Sequence, residues 1–367
     1  MPEHGASVVI LAQSGRMLAQ SAARAGWRTR VLDLYGDEDT RACSERCALV
    51  DDGGGFDHGR VLDELRRAAA EGARGLVYGS GLECAPDWLD EIAGLLPVWG
   101  NSPDVLRWLK SPPRFFALLD ELGIPYPESC FQPPDCPDGW LLKPGCGEGG
   151  KGVAFCAASA VQDGAYYQRH IAGTPMSALF LADGNHVRLV GFNALWTTGA
   201  AGQPFGFAGA SNRPDLPPVW RGRVADWTGR LARRVGLKGL GSLDFVYDGD
   251  RCWALEVNPR PSATLALYDA DFPDGLLAAH VRACGGALPE SVPLSMARAM
   301  RIVYAPRRLK VPAGVVWPSW CADLPAAESE IAAGEPLCSV AVEGGVQDLP
   351  RLSRERERMA LELCRPL

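Results

Sequence analysis

Asp244, Glu256 and Asn258 are two carboxylates and a side-chain amide carried on two short apolar runs. A turn-forming segment, Asp248-Gly-Asp-Arg251, separates the runs. Side chains on a strand alternate faces, so Glu256 and Asn258 share one face. In the first run Leu243, Phe245 and Tyr247 form the apolar set, with Ser242 and Asp244 on the other side. In the second run the apolar set reads as Trp253, Leu255 and Val257. A three-residue hairpin loop, Gly249 to Arg251, sets Asp244 opposite Glu256 with Cβ atoms about 5 Å apart. Three oxygen donors then converge, an all-oxygen set suited to magnesium beside a phosphate. The competing reading is a hairpin with a solvated polar face. The exit Asn258-Pro-Arg-Pro261 argues against it, because each proline forces extended backbone before it and holds Asn258 and Arg260 in place.

A second constellation lies upstream. Lys143 ends the apolar run Trp140-Leu-Leu, where a charge without an anion is costly. Five glycines follow among the eight residues from Gly145 to Gly152. Glycines allow the backbone to approach a polyphosphate and present N–H donors to it. Gly147, Gly149, Gly150 and Lys151 are therefore candidates to close over the β and γ phosphates. No Gly-Lys-Ser/Thr precedes a helix, so this is not a Walker loop.

Lys110, Gly123-Ile-Pro-Tyr-Pro127, Lys143-Pro144, the glycine loop, and Asp244 with Glu256-Val-Asn-Pro-Arg260 occur in the order found in ATP-grasp ligases. Residues 100–290 resemble that family. The resemblance implies ATP between two α+β subdomains, with Lys110 and Lys143 on phosphates. It implies magnesium or manganese on Asp244, Glu256 and Asn258. It gives Arg260 and Lys143 the catalytic roles, Arg260 steadying an acyl phosphate or the incoming carboxylate. Gln168, Arg169, His170 and Ile171 resemble the inter-subdomain strand whose backbone reads adenine, and Ser177 the segment after it. Many members carry Glu near position 168, so ribose recognition here departs from the pattern. The implied reaction is amide formation: phosphoryl transfer to a carboxylate, then attack by an amine. A subgroup, the tyramine– and tyrosine–glutamate ligase-like proteins of methanofuran and methylofuran synthesis, is similar in its tail, including Ala305-Pro306 and Gly334-Glu-Pro-Leu-Cys338. That similarity implies glutamate and an aromatic amine or amino acid as substrates. Rival readings are a biotin-carboxylase-like enzyme, disfavoured by the absence of Met-Lys-Met, and a non-catalytic nucleotide-binding module.

The elements that must position these residues follow from periodicity. Val8 to Ala12 is a continuous apolar run, as in a buried parallel strand. Strand and helix patterns then alternate to about residue 100, which predicts a parallel, doubly wound sheet. Such sheets bind ligands at strand carboxyl ends. Ser14, Gly15 and Arg16 follow the first strand and are substrate candidates, with a plain tight turn as the alternative. The predicted fold is an α/β N-terminal parallel-sheet domain (1–110), two α+β ATP-grasp subdomains (111–172 with the glycine loop, 173–290 with the metal site) and a small mixed C-terminal element (291–367). Arg188 and Arg213 are further candidates for holding a substrate carboxylate, or solvated surface charges. Trp196, Phe205 and Phe207 read either as packing or as an aromatic acceptor pocket.

Composition bounds the class. At 47% hydrophobic, 22% charged and net −7, the chain reads as globular and lacks the basic face of a nucleic-acid binder. No apolar run is long enough for a membrane span, and the N-terminal residues do not read as a signal peptide, so a cytoplasmic protein acting on small molecules is expected. A homodimer is the default for such an enzyme. Twelve cysteines lack Cys-x-x-Cys spacing, and most are expected as small buried apolar residues in a reducing compartment. Cys43 and Cys47 are expected one helical turn apart. None of the five histidines has an evident partner.

Overall fold

The computed structural model describes residues 2–157, 164–199, 203–293 and 295–367. The N-terminal sheet holds β1 (Ser7–Leu11), β2 (Arg28–Asp33), β3 (Arg46–Leu49) and β4 (Leu76–Tyr78), all parallel in the order β3-β2-β1-β4. Strand β1 has helices against both faces, which is why its sequence is apolar without alternation. Val9 and Leu11 pack with the helices His58–Ala70 and Pro86–Ala93. Val8 and Ile10 pack instead toward the helix Gly275–Cys284. That helix is apolar around its circumference because the helix Arg16–Arg24 lies on one side and the central sheet on the other.

Four short strands build the glycine-loop subdomain: β5 (Ser129–Cys130), β6 (Trp140–Lys143), β7 (Ala154–Phe155) and β8 (Tyr166–Arg169), in the order β5-β8-β6-β7. The central sheet has eight strands. Six come first in the chain: β9 (Thr174–Asp183), β10 (Val187–Thr197), β11 (Phe207–Asn212), β12 (Lys238–Tyr247), β13 (Cys252–Asn258) and β14 (Arg298–Tyr304). A small three-stranded sheet is made by β15 (Leu309–Lys310), β17 (Glu330–Ile331) and β19 (Arg365–Pro366). The remaining strands, β16 (Cys321–Ala322) and β18 (Pro336–Glu343), complete the central order β13-β12-β9-β10-β11-β14-β18-β16. The C-terminal part is thus mixed, and it also continues the central sheet.

Period two explains the two faces of that sheet. Ala178, Phe180, Leu243, Phe245 and Val257 form a core with Val224, Trp227 and Leu231 of the helix Pro218–Val235. Leu179, Leu181 and Leu240 face the other way and are covered by the helix Gly275–Cys284. Along the same strands this second face carries Ser177, Ser242 and Asp244 beyond the helix, where the surface becomes the floor of a cleft. One sheet face therefore supplies both the core and the site.

Several expectations are corrected. Cys43 caps the short helix Glu38–Ala42 and Cys47 lies in β3, so the two do not share a helix. Among the described residues only Cys252, Cys321, Cys338 and Cys364 are buried free thiols, and Cys84 is bonded to Cys146. His280 is partnered at both ring nitrogens: its Nδ1 accepts from the Leu240 N–H at 2.8 Å, and its Nε2 stands 2.9 Å from the Trp99 carbonyl and 3.8 Å from Cys284 Sγ. Burial pushes this imidazole down to about 4, so it is neutral, and Nε2–H donates to Trp99. Among the described residues no helix is long and apolar enough to cross a membrane.

Candidate active site

Hairpin β12–β13 sets Ser242 opposite Asn258 and Asp244 opposite Glu256. The pairing matches expectation, but its cause differs. The turn between Tyr247 and Cys252 holds four residues, not three. An even loop with regular pairing would set Leu255 against Asp244. A β-bulge corrects the count: the register shifts between Asp244 and Phe245, so Leu255 and Glu256 together oppose Asp244. The bulge also splits the strand's apolar set. Cys252, Ala254 and Val257 enter the core, while Leu255 joins Glu256 and Asn258 on the cleft wall. Trp253 is only half-buried, and its Nε1–H donates to Asp248 at 2.8 Å.

The three oxygen-bearing groups meet. Asn258 Nδ2 donates to Asp244 Oδ2 at 3.1 Å. Lys110 Nζ donates to Asn258 Oδ1 at 3.0 Å and to Glu256 Oε2 at 3.3 Å. An ammonium already sits where the donor set calls for a cation. Burial pushes the Asp244 carboxyl up to about 7, with the neighbouring Glu256 charge adding to it. Burial also disfavours the Glu256 charge, yet the Lys110 and Lys143 ammoniums outweigh it and hold that carboxyl below its ordinary range. Two half-buried, mutually repelling carboxylates and an amide oxygen fit a hard divalent cation.

Arg260 is buried beside this set. Its Nε donates to Glu83 Oε1 at 2.5 Å, and its guanidinium lies 3.9 Å from Glu148 Oε2. Glu83 is itself buried and accepts from the Gly81 N–H at 2.8 Å. Burial raises the Glu83 carboxyl, but the Arg260 guanidinium beside it keeps it ionised and below its ordinary value. Glu83 and Glu148 carry no ligand signature of their own in the sequence.

A cleft of about 570 Å³ joins these groups to the glycine loop. Lys143 Nζ donates to Gln168 Oε1 at 3.0 Å, and Gln168 Nε2 donates to Ser129 Oγ at 3.0 Å. Gln168 is buried, and Arg169, His170 and Ile171 extend along the wall. Gly147, Gly149, Gly150 and Lys151 form the roof. Gly150 has φ +71°, and a Cβ there would lie 2.0 Å from the Phe205 carbonyl oxygen, so only glycine fits. Ser177 lines the floor and accepts from Asn193 Nδ2 at 3.1 Å. Trp196, Phe205 and Phe207 line the far side, with Ile302 and Met300 of β14.

The N-terminal candidates divide. Ser14 and Arg16 reach the cleft, but Arg16 is committed to Asp323, with Nε 2.7 Å from Oδ1. Gly15 packs against Val31, and its N–H donates to Asp33 at 2.8 Å. Arg188 and Arg213 are exposed and do not line the cleft. Arg188 donates instead to the Pro289 carbonyl.

Comparison with known proteins agrees with this geometry. Residues 114–264 match the family model for the ATP-grasp domain. The arginine-specific carbamoyl phosphate synthase large chain of Geobacillus stearothermophilus is 26% identical over 199 residues, covering 48% of this chain and 19% of that protein. The chain thus spans about a fifth of that relative's length. Biotin carboxylase of Campylobacter jejuni superposes with a TM-score of 0.76 at 12% identity, covering 96% of this chain and 94% of that one. An L-amino acid ligase of Bacillus licheniformis superposes with a TM-score of 0.72 at 14% identity, covering 97% and 98%. Residues 114–264, which match the ATP-grasp domain model, thus hold most of the glycine-loop subdomain, the hairpin β12–β13 and the cleft between them, behind a parallel-sheet N-terminal domain.

Proposed function

We propose that this protein is an ATP-dependent carboxylate–amine ligase that forms an amide through an acyl phosphate and releases ADP and phosphate. The observation that carries the reading is the convergence of Asp244, Glu256 and Asn258 under Lys110, with Lys143 and the glycine loop facing them across one cleft. Asp244, Glu256 and Asn258 would hold magnesium or manganese. When bound, that ion neutralises the terminal phosphates and polarises the transferred phosphoryl group. Lys110, Lys143 and Lys151 supply positive charge where it develops on the phosphoryl oxygens. The backbone of Gln168 to Ile171 would hold the adenine, and Arg260 the carboxylate being activated. The loop roof excludes water, which would otherwise hydrolyse the acyl phosphate before an amine arrives. No side-chain nucleophile is needed.

For the substrates, the resemblance of the tail to the glutamate ligases of one-carbon cofactor synthesis supports glutamate as the carboxylate. The aromatic and apolar far wall, Trp196, Phe205, Phe207 and Ile302, supports an aromatic amine or amino acid as acceptor.

The test is phosphate release from ATP with glutamate and either tyramine or tyrosine, with and without bicarbonate. Release should require carboxylate and amine together. Glu256→Ala should lower it by at least about a hundredfold while a fluorescent ATP analogue still binds. Release that needs bicarbonate and no amine would replace this reading with a carboxylase. Unchanged turnover in Glu256→Ala would remove the metal role.

A further inference from the structure

The glycine loop is fastened to the N-terminal domain by a covalent bond. Cys146, its second residue, is bonded to Cys84 across 62 positions of sequence. Cys84 belongs to the loop that follows β4, outside residues 114–264. Both cysteines are exposed. A thiol in solution can therefore reach the bond at the cleft mouth.

The bond stands between two carboxylates that converge on one guanidinium. Glu83 precedes Cys84 and is paired with Arg260 at 2.5 Å. Glu148 lies two residues after Cys146, approaches Arg260 to 3.9 Å, and accepts a hydrogen bond from Gln13. Its Oε2 is buried with no hydrogen-bond partner among the described residues. A buried carboxylate oxygen without a donor is unfavourable. Nearby Glu83 adds like charge. Burial and the Glu83 charge disfavour the Glu148 carboxylate in this position, while Arg260, Lys110 and the Gly81 N–H favour it, so its own contacts hold the loop only in part. On its other side the loop is held lightly, by the Phe207 N–H donating to the Gly149 carbonyl at 2.8 Å. The covalent tie supplies what these contacts lack, since cross-linking removes the open conformations of the loop.

We propose that Cys84–Cys146 is a thiol-controlled latch on the glycine loop. Oxidised, it holds the roof down and keeps Glu148 at Arg260, where a substrate carboxylate would bind. Reduced, it frees the loop and uncovers that side of the guanidinium. The exchange partner is a dithiol, of small-molecule or protein origin. One of its thiolates attacks a latch sulfur, and the other latch cysteine leaves as a thiolate and takes a proton. The second thiolate of the partner then attacks the mixed disulfide and releases the remaining cysteine. Two electrons and two protons pass to the protein, and the partner leaves as a disulfide.

The experiment uses the full chain, oxidised with diamide or reduced with dithiothreitol, with thiols mapped by alkylation and mass spectrometry. Hydrogen exchange is followed in peptides covering 145–152. Reduction should speed exchange there by about tenfold or more. Cys84→Ser and Cys146→Ser should both be fast under either condition. The effect on substrates rests on the ligase reading, so it is read separately, as release of a fluorescent ATP analogue with magnesium, which reduction should accelerate. Equal loop exchange in verified oxidised and reduced wild type would overturn the latch, as would two free thiols after oxidation. Failure of the analogue to bind in either state would instead sink the nucleotide reading, with the latch still judged by loop exchange.

Discussion

Asp244 is the residue on which the proposed metal chemistry turns, and its titration is testable. Burial first, and Glu256 second, raise its carboxyl from 3.8 to about 7. A divalent ion needs the carboxylate, so a proton competes with it below that value. Magnesium affinity measured calorimetrically with ADP present should weaken as pH falls through about 7, by up to about tenfold per pH unit, and the slope should vanish in Asp244→Asn. The sign for stability is opposite. Between about 4 and about 7 the folded, ligand-free protein holds a proton that the unfolded chain has shed, so this group's contribution is full below 3.8 and is lost as pH rises through about 7. The donor types and their shared face were legible from alternation alone. The route to their register was not, because a bulge at Leu255 is decided by packing: Ala254 and Val257 both seat in the core.

At the scale of elements, Asn101 joins the N-terminal domain to the hairpin β12–β13. Its Nδ2 donates to the carbonyls of Pro259 at 2.8 Å and Lys238 at 3.0 Å, and its Oδ1 accepts from the Lys238 N–H at 2.8 Å. In sequence, an asparagine before Ser-Pro is an ordinary helix-entry signal. Here its side chain is 3% exposed and spends itself on the strand entry and the Pro-Arg-Pro exit. Asn101→Ala should lower unfolding stability by about 2–4 kcal/mol in urea, because buried backbone groups are left without partners. Since Pro259 precedes Arg260, the same variant should also weaken carboxylate binding more than nucleotide binding.

At the scale of the molecule, an ion pair ties the helix Arg16–Arg24 to the C-terminal part. Arg16 Nε lies 2.7 Å from Asp323 Oδ1, and Ser14 donates to the same oxygen at 3.3 Å. Burial would raise the Asp323 carboxyl, but Arg16 holds it below 3.8. Such a depressed carboxylate stabilises the fold above about 4, and that stability is lost as pH falls through its folded value. Asp323→Asn should therefore cost about 1.5–3 kcal/mol at pH 7, and thermal melts should show the gap to wild type closing below about pH 4. Arg16→Ala should give a similar loss, and the double variant little more than either alone.

The chain alone determined what depends on neighbours a few residues apart: an apolar first strand, a glycine-rich loop after a lysine, and oxygen donors alternating to one side of a hairpin. Strand period, glycine's left-handed freedom and proline's fixed φ act over such distances. Tertiary structure decided which of these side chains saturate one another. Arg16 meets Asp323 across 307 positions, Arg260 meets Glu83 across 177, and Cys84 meets Cys146 across 62. Those pairings exist only once the N-terminal sheet, the central sheet and the loop subdomain are packed; for the two ion pairs, burial is what makes an unpaired charge expensive and so selects its partner.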